Sequence, residues 1–406
     1  MKAFVLVAAC LAPSVSAQQQ LRFDDVVRNL RNPDPKVRLS AVRLLRDAKY
    51  PEAIGPMAAL VLDPLDEVQL EAIAAELSFF LDQDVKPKRM VGFVVEKRDP
   101  AFAAAAFDLG PLVVSPRAAP PELISSLLQA VDDENASVRL DAIYAAGIVG
   151  KAPLAPDQTQ RLIKALDHYD PAIRSGAARV IGRLKIAEAG DALIKAINDS
   201  QADVRYSAMR ALGAIREARA IGALTEQLTY YKKGEGAWAA LEALGRIGSA
   251  ASIPVFKERL ADKDPFLRRA ATEGLGRAGD AASIEALERN ATTDESPMVR
   301  LASAFALQKL GRNYAGRVAD LMASPKVMEQ GEEYLVELGP PVASFLLPRL
   351  QEADPDMREA IANVLGAIGD SSAIAPLQSA AKDQNAAVAA AARRAIARIE
   401  AAARQP

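Results

Sequence analysis

Asp170-Pro171-Ala172-Ile173-Arg174, followed by Ala177, Val180, Ile181 and Gly182, is the stretch that decides the fold. Asp offers a side-chain oxygen to the free amide donors of a first helical turn, and the Pro behind it has no donor to lose and a dihedral already suited to helix. A helix therefore starts at Asp170-Pro171. From the anchor Ile173, small or apolar residues return every three or four positions and draw one buried stripe along that helix.

The same pattern recurs along the chain, with copies starting at Asp34-Pro35, Asp264-Pro265 and Asp354-Pro355. Its anchors are Val37, Val68, Ala101, Val138, Ile173, Val204, Gly236, Leu267, Val299, Gln330, Met357 and Val388, spaced by 27 to 37 residues and mostly by 31 or 32. A fixed period of this length means an array of one unit. Within the unit, Ala four residues after the anchor lets a neighbouring helix come close, and Gly213, Gly245, Gly276 and Gly366 are expected to close helix A. Turns such as Gly369-Asp370-Ser371 then lead to a second apolar series, Ile221, Leu224, Leu228 or Ile253, Phe256, Leu260, which forms helix B. No alternating strand pattern competes.

Two helices of this size cannot bury both apolar faces alone, so the units must stack. The expected fold is all-α, an α-α superhelix of about twelve two-helix repeats covering residues 24–403. Two irregularities are expected to change its pitch: a proline-rich stretch at 111–121, and a degenerate repeat at 326–345, where Gln330 is the anchor and Gly339-Pro340-Pro341 follows.

Composition narrows the chemistry. Half of the 406 residues are hydrophobic but only 5% are aromatic, so the core must be Ala, Leu, Ile and Val. The formal charge of −2 offers no global attraction for nucleic acid or anionic membranes. With one Cys and one His in the chain, sites that need several thiolates or imidazoles have no ligands to draw on, and neither a metal nor a cofactor is expected. Gly274-x-Gly276-x-x-Gly279 spells a dinucleotide fingerprint, but it ends a helix and does not follow a strand. His168 precedes a helix cap and reads as a loop histidine. Asp132-Asp133-Glu134 and Glu332-Glu333 read as solvated acidic runs. Lys86-Pro87-Lys88-Arg89 and Tyr230-Tyr231-Lys232-Lys233 are the longest basic ones.

The N-terminus reads as an export signal over residues 1–17: Lys2, an apolar run from Ala3 to Leu11, and Val15-Ser16-Ala17 at the cut. Cleavage after Ala17 removes Cys10, leaving no disulfide to stabilise a periplasmic or extracellular protein. Alternatively, Val7-Ala8-Ala9-Cys10 resembles a lipoprotein box that would acylate Cys10. No later apolar run is long enough to span a bilayer.

These repeats resemble the HEAT-like repeats of the phycobilisome-lyase type, which carry the same Asp-Pro-x-Val-Arg, Ala-x-x-Ala-Leu-Gly and Gly-Asp-x-x-Ala pieces; Asp264 to Gly279 and Asp354 to Asp370 match best. The resemblance implies a HEAT/armadillo-like solenoid and an Arg in helix A that ties adjacent repeats, which maps onto Arg38, Arg139, Arg174, Arg205, Arg268, Arg300 and Arg358. Gln69, Phe102, Ala237, Gly331 and Ala389 break that ladder, while Asp34, Asp170, Asp264 and Asp354 are the helix caps. Deoxyhypusine hydroxylase, a HEAT-like enzyme, needs paired His-Glu iron sites that one His cannot supply. The expectation is an exported, non-catalytic scaffold that holds a protein or peptide, not nucleic acid, on a concave helix-B face or a ridge of loops. Lys195, Glu226, Glu258, Arg259 and Arg289 are its candidate partner surface. The alternative function is a bilin lyase- or isomerase-like subunit handling a tetrapyrrole.

Overall fold

The computed structural model describes residues 23–81, 102–352 and 354–404. The export segment 1–17 with Cys10, Gln18 to Gln20, the basic run Lys86 to Arg89 and the anchor Ala101 lie outside the described residues. Among those described, every regular element is a helix, and Leu81 and Val114 form an isolated β-bridge.

Eleven helices form a first row: α1 (Pro35–Asp47), α2 (Asp66–Phe80), α4 (Ala136–Val149), α5 (Pro171–Leu184), α6 (Ala202–Ala214), α7 (Glu235–Ile247), α8 (Pro265–Arg277), α9 (Pro297–Lys309), α10 (Met328–Leu338), α11 (Pro355–Ile368) and α12 (Ala386–Ala403). The remaining one, α3 (Phe102–Asp108), lies off that row. Return helices such as Gly190–Ala196, Ile221–Tyr231 and Ile284–Thr293 form the second row. The partner that returns from α2 is Pro121–Ala130, which packs on the 3-10 turn Ala58–Leu62 and on α4. The segment after Ala101 is therefore an insertion between two helices of one hairpin. The molecule is an α-α superhelix.

The cap oxygens sit where elementary helix chemistry needs them. Asp34, Asp170, Asp264 and Asp354 each accept a 2.9 Å hydrogen bond from the backbone N–H two residues on, that of Lys36, Ala172, Phe266 and Asp356. Gly213, Gly245, Gly276 and Gly366, expected to end their helices, instead lie inside the last turn and are buried. A Cβ at Gly276 would stand 2.6 Å from Cα of Ala306 on the next helix. Close crossing between helices, not a left-handed turn, is what keeps glycine there. The left-handed C-caps are Lys185, Gly248 and Gly369.

The first row lies on the inside of the curve. Its side chains reach units two and three steps away: Arg277 of α8 donates to Glu337 of α10 at 2.8 Å, and Arg246 of α7 stands 3.5 Å from Glu333 of α10. Polar contacts of the second row join nearest neighbours, as Lys195 to Asp167 at 2.7 Å and Gln227 to Asn198 at 3.2 Å. This corrects the expected concave helix-B face: helix A is concave and helix B convex. The reason is spacing, since Ala and Gly let helices A approach more closely than the longer side chains of helices B allow.

Gly276→Ala is expected to destabilise the fold by about 1 to 3 kcal/mol through overpacking against Ala306. Gly222→Ala, where a Cβ meets nothing within 4 Å, should stabilise by up to about 1 kcal/mol. Thermal melts of the two variants side by side check both signs.

Candidate partner-binding wall

The Arg ladder turns out to be a set of forks. Arg174 Nη1 donates to the carbonyls of His168 and Tyr169, in the loop before its own helix, while Nε and Nη2 grip Asp199 of the next loop at 2.7 and 2.9 Å. Arg38 with Asp63, Arg268 with Asp294 and Arg358 with Asp383 repeat this geometry. The gripped carboxylate also accepts a backbone N–H two residues on, from Leu65, Gln201, Ser296 or Asn385. Arg139 uses the cap Asp170 itself at 2.8 Å, and Arg205 donates to the Tyr231 hydroxyl at 2.6 Å. Among the described residues, Arg300 holds the carbonyls of Asp294 and Glu295 and no carboxylate. Where the other loops carry Asp, five residues before the next anchor, the loop ahead of it carries Pro325.

Two breaks in the ladder are filled by other donors. Gln69 donates to Asp133 at 2.8 Å, and Trp238, one residue beyond Ala237, donates its indole N–H to Asp264 at 2.6 Å while stacking on Phe266. Sequence reasoning missed both. The available signal was the retained Asp on the receiving side.

The residues expected to form a partner surface do not face the concave side. Lys195, Glu226, Glu258, Arg259 and Arg289 all stand on the convex row, where Lys195 pairs with Asp167, Arg259 with Glu258 and Asp262, and Arg289 with Glu285. The concave wall is built instead from positions two, six and ten residues after each anchor. In its middle these are Tyr206 and Arg210 of α6, Trp238, Glu242 and Arg246 of α7, and Arg269 of α8. Arg210 bridges Glu235 at 3.1 Å and Glu242 at 3.8 Å.

Both irregular segments foreseen in the sequence seat on this wall. From the degenerate repeat, Tyr334 stacks on Phe305 with centroids 4.3 Å apart and donates its hydroxyl to Glu273. Burial pushes the Tyr334 hydroxyl far above its usual range, while Arg269 and Arg277 overcome burial and keep Glu273 ionised. Glu332 beside them is pushed up to about 7, by burial first and then by Glu329, Glu359 and Glu333. From the proline-rich segment, Pro111, Leu112 and Val114 offer carbonyls to Arg398 of the last helix.

His168, the single histidine, accepts the Asp170 N–H on Nδ1 at 3.0 Å. Among the described residues no three His, Cys, Asp or Glu side chains come together as metal ligands, and no helix is long and apolar enough to cross a membrane. Glu76 of α2 is the outlier: it is 1% exposed, and among the described residues neither carboxyl oxygen has a partner. Desolvation alone raises its pKa well above the usual value, so the folded state holds it as the neutral acid.

Arg174→Ala is expected to cost about 2 to 4 kcal/mol by orphaning Asp199 and two loop carbonyls, whereas Arg300→Ala should cost about 1 kcal/mol. Chemical denaturation ranks them. For Glu76, a raised folded pKa means the native state binds more protons than the unfolded chain above about pH 4.3, so its contribution falls as pH rises. Glu76→Leu should therefore raise stability at pH 8 by roughly 2 kcal/mol and flatten its decline between pH 5 and 8. An unchanged pH slope would show that Glu76 is not the titrating group.

Solved structures with a similar fold include an engineered protein (18% identity over 93% of this chain and 98% of that one, TM-score 0.42). Human deoxyhypusine hydroxylase in complex with glycerol is similar at 19% identity over 69% and 96%, TM-score 0.30. The complex of CpcE and CpcF of phycocyanin lyase from Nostoc sp. PCC7120 is similar at 19% over 78% and 99%, TM-score 0.35. A comparison with curated proteins finds no significant match. A model of HEAT repeats matches residues 159–235, 232–308 and 337–405, together more than half of the sequence, and the chain belongs to the HEAT repeat family.

Proposed function

We propose that this chain is an exported, non-catalytic scaffold that holds a protein or peptide partner against its concave helix-A wall. The observation that carries the reading is a contrast in lettering. Positions that stack the units repeat from unit to unit, such as Ala177, Ala208, Ala240 and Ala271 at four past the anchor, while the inner positions two past it change to Ser175, Tyr206, Trp238 and Arg269. Constant spacing with changing lettering suits one shaped partner more than a ligand repeated along the array. Tyr, Trp and Arg are also the residue types that dominate binding energy at interfaces.

Export rests on residues 1–17, with the lipoprotein box at Cys10 as the variant of that reading. A non-catalytic role is supported by the engagement of His168 as a loop acceptor and by the pairing of the inner Arg and Glu side chains with one another. The phycobilisome-lyase type, and with it a bilin lyase-like activity, has only the shared repeat pieces as support.

A photocrosslinking residue placed at Arg246 or Arg210 is expected to capture one discrete partner from envelope extract, whereas the same residue at Glu226 or Glu258 captures none. Tyr206→Ala and Arg210→Ala should each weaken that complex about tenfold, near 1.4 kcal/mol. Equal capture from the convex positions would overturn the assignment.

A further inference from the structure

The wall already carries one helix, and that helix shows what the wall fits. α3 belongs to the insertion between α2 and its return helix, a place where other units need only a short turn, as Ile215 to Glu217 between α6 and the 3-10 turn Ala218–Ala220. It lies along the concave side of α4 and α5 and is held at both ends by charges that match a helix dipole. At its start, the buried Asp141 of α4 accepts the Ala103 N–H at 2.9 Å. At its end, Arg179 of α5 pairs with Asp108, and Arg183 donates to the Phe107 carbonyl at 2.9 Å.

Between these clamps the fit is steric. Ala103 and Ala106 are fully buried, so the helix lies close on its alanine face. Phe107 packs against Tyr144 with ring centroids 5.2 Å apart, and the Arg183 guanidinium lies 4.3 Å over its ring. Gly147 leaves the room for it, since a Cβ there would stand 2.9 Å from the Phe107 ring. Tyr144, Arg179 and Arg183 occupy inner-wall positions, six or ten residues past their anchors, and Asp141 lies three past its own. Tyr144 and Arg179 also join α4 to α5, the guanidinium donating to the Tyr144 hydroxyl at 2.9 Å, while Asp141 and Arg183 hold the two ends of α3.

We propose that the groove across α4 and α5 is a docking groove for a short helix of a partner protein, and that α3 occupies it as a tethered stand-in. The partner helix is one with small residues on its docking face and an aromatic residue followed by an acidic one at its C-terminal end. This rests on the reading of the concave wall as the partner surface and specifies one section of it. Binding exchanges one helix for another, so Asp141, Arg179 and Arg183 keep a partner throughout.

The test uses the full chain and a fluorescein-labelled peptide, Phe-Ala-Ala-Ala-Ala-Phe-Asp-Leu-Gly, copied from residues 102–110. In a Phe107→Ala, Asp108→Asn variant that weakens the tethered copy, the peptide is expected to bind at least tenfold more tightly than to the unmodified chain. Adding Arg179→Ala to that variant should undo the gain. Equal binding to both chains, or none to a variant that keeps its helical circular dichroism and cooperative melt, overturns the proposal. If the variant does not fold, hydrogen exchange of the Arg179→Glu chain decides: faster exchange over 102–108 with α4 and α5 unchanged supports exchangeable docking, and unchanged exchange over 102–108 refutes it. If the peptide fails while crosslinking from Arg246 still captures a partner, this inference falls and the scaffold reading stands.

Discussion

The close crossing of successive helices A is the constraint on which the rest depends. A Cβ on Gly213 would lie 2.7 Å from Cα of Ala243, and one on Gly366 2.6 Å from Cα of Ala395, so the backbones nearly touch. Helices B are held apart by Lys, Arg and Gln side chains that bridge the gap. A two-row stack with one row shorter than the other must curl toward the shorter row. Curvature then decides which letters face inward.

The second constraint is the loop before each helix A, whose carbonyls have no helical partner. The full Arg fork satisfies two carbonyls behind it and one carboxylate ahead of it, so the guanidinium groups of Arg38, Arg174 and Arg268 each join two loops with four or more hydrogen bonds. That explains why the donor can change while the geometry stays. Gln69 and the indole of Trp238 still reach a carboxylate in the next loop, and Arg205 reaches the Tyr231 hydroxyl when no carboxylate is there. Holding the Asp199 carboxyl below its usual range is the electrostatic signature of that fork.

Much of this was legible in sequence. The period, the Asp-Pro caps and the once-per-unit Arg follow from local chemistry that any neighbour leaves intact. The direction of curl was not legible, because helices A are apolar on both flanks and pattern alone does not say which row approaches more closely. Nor was α3: Phe102 to Asp108 falls near the repeat period, and its departure from the row depends on Asp141, Arg179 and Arg183 of other units. One signal was available and unused. Arg recurs ten residues after the anchor, at Arg183, Arg246, Arg277 and Arg398, where an outward-facing helix would have no reason to repeat it. Glu76, at a position held by Leu45, Ile181, Leu212 and Leu275 in other units, was visible as an oddity, but its burial depends on what covers α2.

Closure adds a coupling that a simple stack lacks. Stacked repeats interact only with neighbours, so their stability is close to a sum over units and interfaces. Here Arg398, in the last helix, takes three carbonyls from Pro111 to Val114, and Lys151 takes the carbonyl of Pro116 at 2.6 Å. Burial and the Arg398 charge together hold Lys151 below its ordinary pKa, which places the two cations side by side at this junction. The same stretch continues back through Gly110 and Leu109 into α3, and Ser115 donates to the carbonyl of Phe80 at 2.7 Å. One segment thus touches α2, the α4–α5 wall and the final unit. Whatever displaces α3 pulls on carbonyls that Arg398 holds, so occupancy of the wall and closure of the array are energetically linked through eight residues of main chain, from Asp108 to Ser115.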